Sequence, residues 1–549
     1  MSINSLHIAS NSLLASKLQV EITSRNIAGA QDPNYTRQTA LVKNLGPGLN
    51  SVQGHTHGLG VLVEGFERSR DSLLDTSYRN HYREAEGARS VDILAQRLES
   101  AMGEGSGLTA AARDVRLSML EVANQPDDTA LRADLYQKLE SLTERFQATS
   151  RDLSDMADES GQRVGEAVDR TNEILEELAD LNRRMPKWGK TSGKNALLDQ
   201  RDALLDELSG FADISVVPQD GGSVAVYLEG RQLLYGDHAQ KLTLNSDGEV
   251  ENEAGVVLNI DEGVLGSLKS FYQDTLPGFQ EELDNLAQSL MADANAVHQL
   301  GYGLDGVSGR DLFQGADAAT IELAISSPES IAAAASRMSS TDRIHGDGFS
   351  SDNSLASEAA MLNTAPSASG SVDINGTVVN WNDSQDLDEI LNSFSAAGVV
   401  ASFDEATGKV LLQRDPTQPG PADITISDVS GNLSQVLALD TAVSQPAVPG
   451  DGIVLRELFS EIDTTTRLED RLTGMESETG SYRRAAQDTA ERAGLLESDA
   501  QSRRDSVSGV STDEELLALE RYQQSFAAAA RVATVANEIL SNVINLGRN

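Results

Sequence analysis

Apolar residues recur at seven-residue spacing along the first helix that the sequence predicts, from Ile3 to Ile27. Small residues recur at the same spacing between them. The large positions are Leu6, Leu13, Val20 and Ile27, and the small positions are Ala9, Ser16 and Thr23. Alternation of large and small side chains at this period is typical of a narrow seam between helices. The pattern therefore predicts a long helix that packs along one face.

The segment NIAGAQDPNYTRQ, residues 26–38, follows this seam and predicts where the helix ends. Asn26 and Gly29 both tolerate a left-handed backbone, which favours helix termination. Pro33 then opposes a new helix nearby because proline has no amide hydrogen to donate. We expect a turn here, followed by an extended segment.

The C-terminal segment VSTDEELLALERYQQSFAAAARVATVANEILSNVINL has a similar design. Ser511 and Glu514 have the spacing of a capping box, and the acidic residues 513–515 lie where the helix dipole favours negative charge. The apolar stripe of this predicted helix comprises Leu516, Leu519, Tyr522, Phe526, Ala529, Ala533, Ala536, Leu540 and Val543. Its alanine-rich middle would let another helix approach closely.

Two interpretations fit the terminal stripes. They belong to core helices of a bundle or an intramolecular coiled coil, or they are seams that neighbouring molecules complete. Helices at chain termini usually fray unless other contacts hold them. The terminal position of both stripes favours a polymer subunit whose end helices pair with each other and with neighbouring copies.

Between the ends, the pattern changes from helical to strand-like and back. Residues 72–181 read as polar helices, alternation after residue 210 predicts hairpins, and a helix is predicted at 276–299. Residues 370–413 read as strand, turn, strand, helix, strand, turn and strand, with Asn375-Gly376 as a hairpin turn. From Ile453 onward the pattern is helical again.

This order predicts an α+β multidomain fold. Long terminal helices pair in an axial coiled coil or helical rod, and small β-rich domains are inserted in the middle of the chain. The predicted segments are an N-terminal axial helix with an extended segment (1–70), the first part of a helical rod (71–210), a β-rich domain with a helix at 276–299 (211–365), an inserted outward β-α-β module (366–447), the second part of the rod (448–508) and a C-terminal axial helix (509–549).

Asp199 and Arg201 are the residues that most resemble a catalytic pair. No histidine or second carboxylate is arranged nearby to complete a reaction site, so we interpret both as solvated or interhelical. We find no pairing of a nucleophile with a base elsewhere in the sequence. The sequence therefore predicts no catalytic residues and no enzyme.

Three other segments resemble ligand sites but lack the required context. The GxGxxG spacing at residues 301–306 follows a predicted helix rather than a strand, unlike a dinucleotide-binding loop. His55 and His57 have no identifiable third metal ligand. Residues 345–353 are acidic and glycine-rich but lack the ligand spacing of an EF-hand loop. We predict no cofactor and no metal.

Composition narrows the class of partner. The net charge is −42, from 85 acidic and 43 basic residues, which opposes binding to nucleic acid or to anionic membranes. There are no cysteines, which excludes disulfides and thiolate chemistry. No stretch has the length and apolarity of a membrane span, and the first residues do not resemble a signal peptide. Self-assembly would therefore depend on apolar surfaces, and export would need a route that removes no leader.

Three motifs resemble the axial proteins of the bacterial flagellum, and most closely their hook-associated members. In that family a first helix precedes Asn-x-x-Gly-Tyr-Thr-Arg-Gln or a variant, a middle helix carries Asn-x-Leu-Leu-Asp-x-Arg-Asp, and the end carries Gly-Val-x-x-Asp-Glu-Glu and Arg-Tyr-Gln-Gln. The spacer QDPN is longer here than the family's shortest form, and Thr512 replaces a frequent aliphatic residue. The matching positions are Asn26, Tyr35, Thr36, Arg37, Gln38, Asn195, Leu197, Leu198, Asp199, Arg201, Asp202, Gly509, Val510, Asp513, Glu514, Glu515, Arg521, Tyr522, Gln523 and Gln524. A fourth element, Asn-x-x-His-x-x-Gly, matches Asn295, His298 and Gly301.

The resemblance implies a non-enzymatic structural protein that connects hook to filament by packing of axial helices. It implies self-association in a ring or helical layer, hook protein on one side, the next hook-associated protein or the filament on the other, and an export chaperone at the C-terminal helix. It also implies an extracellular position at the hook–filament junction after flagellar type III export without a cleaved signal peptide. The residues expected to carry axial assembly are Leu6, Leu13, Val20, Ile27, Leu516, Leu519, Tyr522, Phe526, Ala533, Leu540 and Val543.

The sequence leaves two alternatives open. One is another flagellar axial protein, either hook protein or a flagellin-like chain. The NALLDQRD segment and the long middle region favour the hook-associated family over it. The other is an acidic coiled-coil scaffold with no flagellar role, which would stay in the cytosol.

Overall fold

The computed structural model describes residues 2–44, 60–103, 105, 107–185, 192–245, 247–418, 421–446 and 451–546, with the backbone alone described at 2–5, 192, 446 and 543–546. These residues form two compact units. Unit 1 comprises Met1–Ala95, Asp158–Asp274 and Arg484–Asn549, and unit 2 comprises Gln96–Ala157 and Thr275–Arg483. Both contain helices and small sheets, so the α+β class is confirmed. The six-segment division stays a prediction.

Helices account for most of the chain, and the helical stretches predicted near 72–181 and after residue 453 are present. They are α1 (Ser2–Gly29), α2 (Ser72–Met102), α3 (Leu108–Asn124), α4 (Thr129–Arg184), α5 (Ser192–Phe211), α6 (Gly263–Ser270), α7 (Leu276–His298), α8 (Leu355–Glu358), α9 (Leu387–Ser393), α10 (Leu433–Val436), α11 (Ile453–Ser460), α12 (Leu468–Ser508) and α13 (Thr512–Leu546). Two π-helical turns, Phe271–Thr275 and Glu461–Thr466, precede α7 and follow α11.

Helix α1 ends two residues after the predicted position, and the predicted reason is wrong. Neither Asn26 nor Gly29 has a positive φ. Asn26 lies within the helix, and its side chain takes part in the contacts described below. A Cβ atom at Gly29 would lie 2.6 Å from the ring of Tyr35. Glycine is therefore needed there because the tyrosine ring lies against its backbone.

The small sheets of unit 1 are the hairpins that the sequence predicts, preceded by a ribbon. Strands β1 (Gln38–Asn44) and β2 (Val61–Arg68) form this two-stranded antiparallel ribbon after α1. A four-stranded antiparallel sheet, in chain order, comprises β3 (Ile214–Pro218), β4 (Val224–Leu228), β5 (Arg231–Tyr235) and β6 (His238–Ala239). A separate hairpin pairs β7 (Leu242–Leu244) with β8 (Val250–Asn252).

The described residues of unit 2 form three sheets. A short pair consists of β10 (Phe313–Gln314) and β11 (Glu322–Leu323). The five-stranded sheet has the order β15 (Val399–Asp404), β16 (Lys409–Arg414), β12 (Ala334–Ser339) and β18 (Gln445–Pro446), with β9 (Gly301–Tyr302) also paired to β12. The three-stranded sheet has the order β14 (Thr377–Asn382), β13 (Ser369–Ile374) and β17 (Ile426–Ser430).

The strand, turn and helix order predicted for residues 370–413 is present, but its four strands divide between two sheets. Strands β13 and β14 pair with β17, whereas β15 and β16 pair with β12. Asn375 and Gly376 have φ values of 52° and 82°, as the two-residue hairpin turn requires. One apolar core joins both sheets to α9, and its largest buried side chains include Trp381 and Phe394. We call this cluster the module core.

Candidate functional site

The two chain ends meet in unit 1. Helix α13 packs mainly against α1, and the last turns of α1 lie beside the first turn of α13. The two helices therefore run antiparallel. The capping contact predicted from Ser511 is present, with the Glu514 amide 3.4 Å from the hydroxyl. The contacts at this meeting point are polar, and they involve the motif residues that resemble the flagellar family.

Asn26 is at the centre of these contacts and is 1% exposed. Its Nδ2 donates to the backbone carbonyl of Gln38 (2.9 Å) and to Oε2 of Glu515 (3.0 Å). Its Oδ1 accepts from the Gln38 amide (3.0 Å) and the Tyr35 hydroxyl (2.9 Å). Two donated and two accepted bonds use the full capacity of a primary amide. One side chain thus joins α1 to the start of β1 and to α13.

The turn between α1 and β1 positions Tyr35 for this contact. Asp32 forms the turn by accepting from the Asn34 amide (2.9 Å), and the Tyr35 ring then packs on Gly29. Burial raises the pKa of Tyr35 to about 12, so its hydroxyl keeps its proton and donates to Asn26.

Glu515 completes the contact from the side of α13. The residue is 3% exposed, and Nε of Arg37 donates to its Oε1 at 2.8 Å. The backbone amide of Arg37 donates to the carbonyl of Ser508 (2.9 Å), and its guanidinium lies 3.6 Å from Glu514. Arg37 therefore holds the chain on both sides of the start of α13.

The middle motif, on α5, contacts the same segment. Nδ2 of Asn195 donates to Oε1 of Gln38 (3.0 Å), and the buried Thr36 hydrogen-bonds to Asp199. Of the two alternatives predicted for Asp199, solvated or interhelical, the first is wrong: it is 8% exposed and pairs with Arg68 of β2 at 2.7 Å. Three motifs from distant parts of the sequence thus meet at one place, which we call the polar junction. It comprises Asn26, Tyr35, Thr36, Arg37, Gln38, Asn195, Asp199 and Glu515.

An ion-pair network extends from the polar junction. Arg201 pairs with its neighbour Asp202, which also contacts Arg68 (2.8 Å) and Arg70 (3.0 Å). Burial opposes ionisation of Asp202, but the three guanidinium groups outweigh it and hold its pKa below the usual range. Burial instead raises the pKa of Asp199, although Arg68 lies against it. The network fixes α5 and β2 around the junction. Asp199 and Arg201, which most resembled a catalytic pair in the sequence, therefore position these elements.

Leu198 of the middle motif and the residues of the fourth element make packing and hydrogen-bond contacts within the fold. Leu198 packs against a small apolar cluster of Leu181, Met185 and Leu197. In unit 2, Asn295 accepts from the amides of residues 312 and 313 (2.8 and 2.9 Å). His298 is buried, hydrogen-bonds through Nδ1 to the Arg310 carbonyl (2.7 Å) and accepts at Nε2 from the Ala332 amide (2.9 Å). These contacts hold the loop that contains the GxGxxG spacing.

The predicted seam residues fall into two groups. On α1 the small residues Ala9, Ser16 and Thr23 are buried, and the four large ones are half-buried. On α13, five of the predicted stripe residues are half-buried and Ala536 is buried, whereas Leu516 and Phe526 are exposed. The half-buried residues are Leu519, Tyr522, Ala529, Ala533 and Leu540. The side chain of Val543 lies outside the described residues, as do His55 and His57.

A second apolar stripe on α13 was not predicted. Val532, Val535 and Ile539 are each at least half exposed, and Ala528 precedes them at the same spacing. Steps of four, three and four residues place these side chains on one helix face, away from the face that α1 covers. The spacing of this second stripe is visible in the sequence. We call this set the outer stripe.

Neither a metal centre nor a membrane span is found in the part of the chain that the structure describes. No cluster of three or more His, Asp or Glu residues is placed to hold an ion there. Among the described helices, none combines the length and apolar character needed to cross a bilayer.

Comparisons with known proteins agree with the motifs. Residues 95–313 match the family model described as the flagellar hook-associated protein FlgK helical domain. The chain is 24% identical to flagellar hook-associated protein 1 of Salmonella typhimurium over 98% of its length and 99% of that protein. It is 23% identical to the Escherichia coli protein of the same name, over 98% of each chain. The Bacillus subtilis protein is 26% identical over 56% of this chain and 69% of that protein.

A solved structure shows the same fold. The flagellar hook junction protein FlgK from Burkholderia pseudomallei superposes with a TM-score of 0.54, covering 80% of this chain and all of that chain at 15% identity. The paired terminal helices and the junction motifs define a structural protein of the flagellar axial class. Within that class, the chain is similar to hook-associated protein 1 over nearly its full length.

Proposed function

We propose that this chain is a structural component of the bacterial flagellum that connects hook to filament. The observation that carries the proposal is the combination of the polar junction with the outer stripe. The junction orients α13 on α1, and α13 then presents Val532, Val535 and Ile539 to solvent. Contiguous exposed apolar side chains typically mark a surface that another protein covers.

We propose copies of the chain and axial neighbours as the partners of this stripe. With a net charge of −42, copies repel one another at long range, so association must come from burial of apolar area. In this proposal the chain associates with itself in a ring or helical layer, with hook protein below and the next hook-associated protein or filament above. An export chaperone covers the C-terminal helix until then. The protein reaches its extracellular position at the hook–filament junction through type III export without a cleaved signal peptide.

The proposal is tested by complementation of a deletion strain with two variants of α13. Val535→Asp places a charge in the outer stripe, where burial against a neighbour would leave it unpaired. Thr534→Asp is the matched control, because it adds the same charge at an exposed position on a different helix face. We expect Val535→Asp to leave hooks without filaments and to release filament monomer into the medium, whereas Thr534→Asp supports normal filaments.

Cell fractionation separates the remaining alternatives. A junction protein is found in the sheared flagellar fraction, at the hook end of the filament. Recovery of the wild-type chain only in the cytosol would favour a non-flagellar scaffold and contradict the proposal. Normal filament attachment by the Val535→Asp variant would contradict the role of the outer stripe.

A further inference from the structure

The face of α1 that packs in the helix pair has little power to choose a register. Its large residues are seven apart, and so are its small residues Ala9, Ser16 and Thr23. A shift of seven residues therefore places large against large and small against small again. On the side of α13, the stretch from Ala527 to Ala536 is mostly alanine, which fits against several positions about equally well.

The contact between Asn26 and Glu515 does not repeat in this way. The residue seven positions earlier on α1 is Gln19. Its side-chain amide could donate to Glu515 in a shifted register, but it would replace only one of the two present partners of Glu515. A seven-residue shift moves Glu515 by about 10 Å along the helix axis, out of reach of Arg37. The shifted carboxylate would then lie against α1 without the guanidinium that compensates its charge. A buried charge without its partner is strongly unfavourable.

We propose that Asn26 and Glu515 set the register of the α1–α13 pair. The apolar face supplies attraction in several registers, and the buried polar pair selects one of them. A single buried polar contact selects the alignment of a coiled coil for the same reason. Glu515 and Asn26 are thus positioning residues for the outer stripe, because the register fixes the height of Val535 along α1. This last step rests on the proposed function, whereas the register itself does not.

The test uses the absence of cysteine in the full-length chain. Single cysteines at Lys17 and Gln524, both exposed, take spin labels on α1 and α13. Labelled chains are diluted with excess unlabelled chain so that only distances within one molecule are measured. We expect one narrow distance distribution in the labelled, otherwise wild-type protein.

The decisive variant replaces both polar residues by apolar ones, Asn26→Leu with Glu515→Leu. We expect α13 to remain helical and protected from hydrogen exchange. The spin labels should show a second distance as well, because a seven-residue shift moves one label by ~10 Å along the helix axis. Thr23→Val is the matched control, because it also removes a buried polar group from α1 but leaves Glu515 in place. It should keep the single distance.

Three results would overturn the register proposal. One is a single unchanged distance in the double variant. Another is loss of α13 protection, which would mean that the pair holds the helices together rather than aligning them. The third is a second distance in Thr23→Val. The double variant could also show two registers and still support normal filaments. That result would agree with the register proposal but contradict its link to assembly.

Discussion

The module core of unit 2 and the helix pair of unit 1 are held together by different kinds of contact. In the module core, large apolar side chains from two sheets and α9 are buried against one another, including Trp381 and Phe394. In the helix pair, the buried apolar residues are mostly small, and the best-defined contacts are the hydrogen bonds of Asn26 and Glu515. Burial of large side chains stabilises a fold but does not depend on one exact orientation of the groups. Hydrogen bonds fix the relative orientation of their partners but contribute less free energy each.

The two regions also differ in how much apolar surface they leave exposed. The module core is closed by its own sheets and helices, so the module does not need another molecule to cover its largest side chains. Helix α13 keeps its outer stripe exposed while its polar end is fixed. The first region buries its large side chains within itself, whereas the second leaves an apolar surface exposed. In the proposed function, that surface is the one that a neighbouring protein covers.

The largest effect is expected in the module core. Phe394→Ala removes a fully buried ring and leaves a cavity, which should lower the free energy of unfolding of the module by about 4 kcal/mol. Denaturant unfolding monitored by the fluorescence of Trp381, in the same core, measures it. Hydrogen exchange of α13 should not change. An equal loss of α13 protection would mean that the two regions do not differ in this way.

The polar junction should respond to a single methyl group. Gly29→Ala places a Cβ where the Tyr35 ring lies, so the ring must move and its bond to Asn26 is lost. We expect the free energy of opening of α13, from hydrogen exchange, to fall by about 3 kcal/mol. Gly278→Ala is the matched control, because a Cβ there meets no neighbouring atom within 4 Å. Similar exchange in both variants would contradict the assigned role of Gly29.

Acid should weaken unit 2 through one histidine. Burial lowers the pKa of His298 to about 4, against about 6.5 in an unfolded chain. The unfolded state therefore binds more protons between these pH values, and stability falls as the pH falls from 6.5 to 4. At pH 5 the contribution amounts to a loss of about 2 kcal/mol relative to pH 7.

The measurement compares urea unfolding of the wild-type chain and His298→Gln at pH 7 and pH 5. The variant loses stability at both pH values, because glutamine cannot make both imidazole contacts. Its further loss between pH 7 and pH 5 should be smaller than that of the wild type by about 2 kcal/mol. Equal pH dependence of the two proteins would show that His298 is not the group that titrates.

The smallest effect concerns the charge on Glu515. Glu515→Gln retains an oxygen for Asn26 but loses the ion pair with the half-buried Arg37. A double-mutant cycle with Arg37→Gln should give a coupling energy of about 1 kcal/mol, measured from hydrogen exchange of α13. A coupling energy near zero would show that the ion pair adds nothing to the hydrogen bonds of Asn26 in holding α13.

Local features of the fold could be predicted from the sequence. Seven-residue periodicity predicted α1 and α13, and Asn375-Gly376 predicted the first hairpin of the module, because these features depend on neighbours in the sequence. The division of the module strands between two sheets could not be predicted, since nothing local to β15 or β16 specifies β12 as the partner.

The polar junction was only partly predictable. The motif residues were singled out, but their contacts join segments that are far apart in the chain. Asp199 was interpreted as solvated or interhelical; its burial depends on Arg68 and β2, which periodicity does not connect to α5. Glu515 was matched to the closing motif and to the helix dipole, but neither assignment predicts its contact with Asn26. No local signal pairs it with an asparagine near the other end of the chain.

Asn26 and Glu515 are 489 residues apart in the chain. Contacts between such distant segments close last during synthesis, because almost the whole chain must be present before they can form. Until then α1 can contact the nearby β1 and β2 but not α13. A prematurely terminated product would lack Glu515 altogether and would expose the first helix. The closed pair can therefore form only in a chain that has been synthesised at least as far as Glu515.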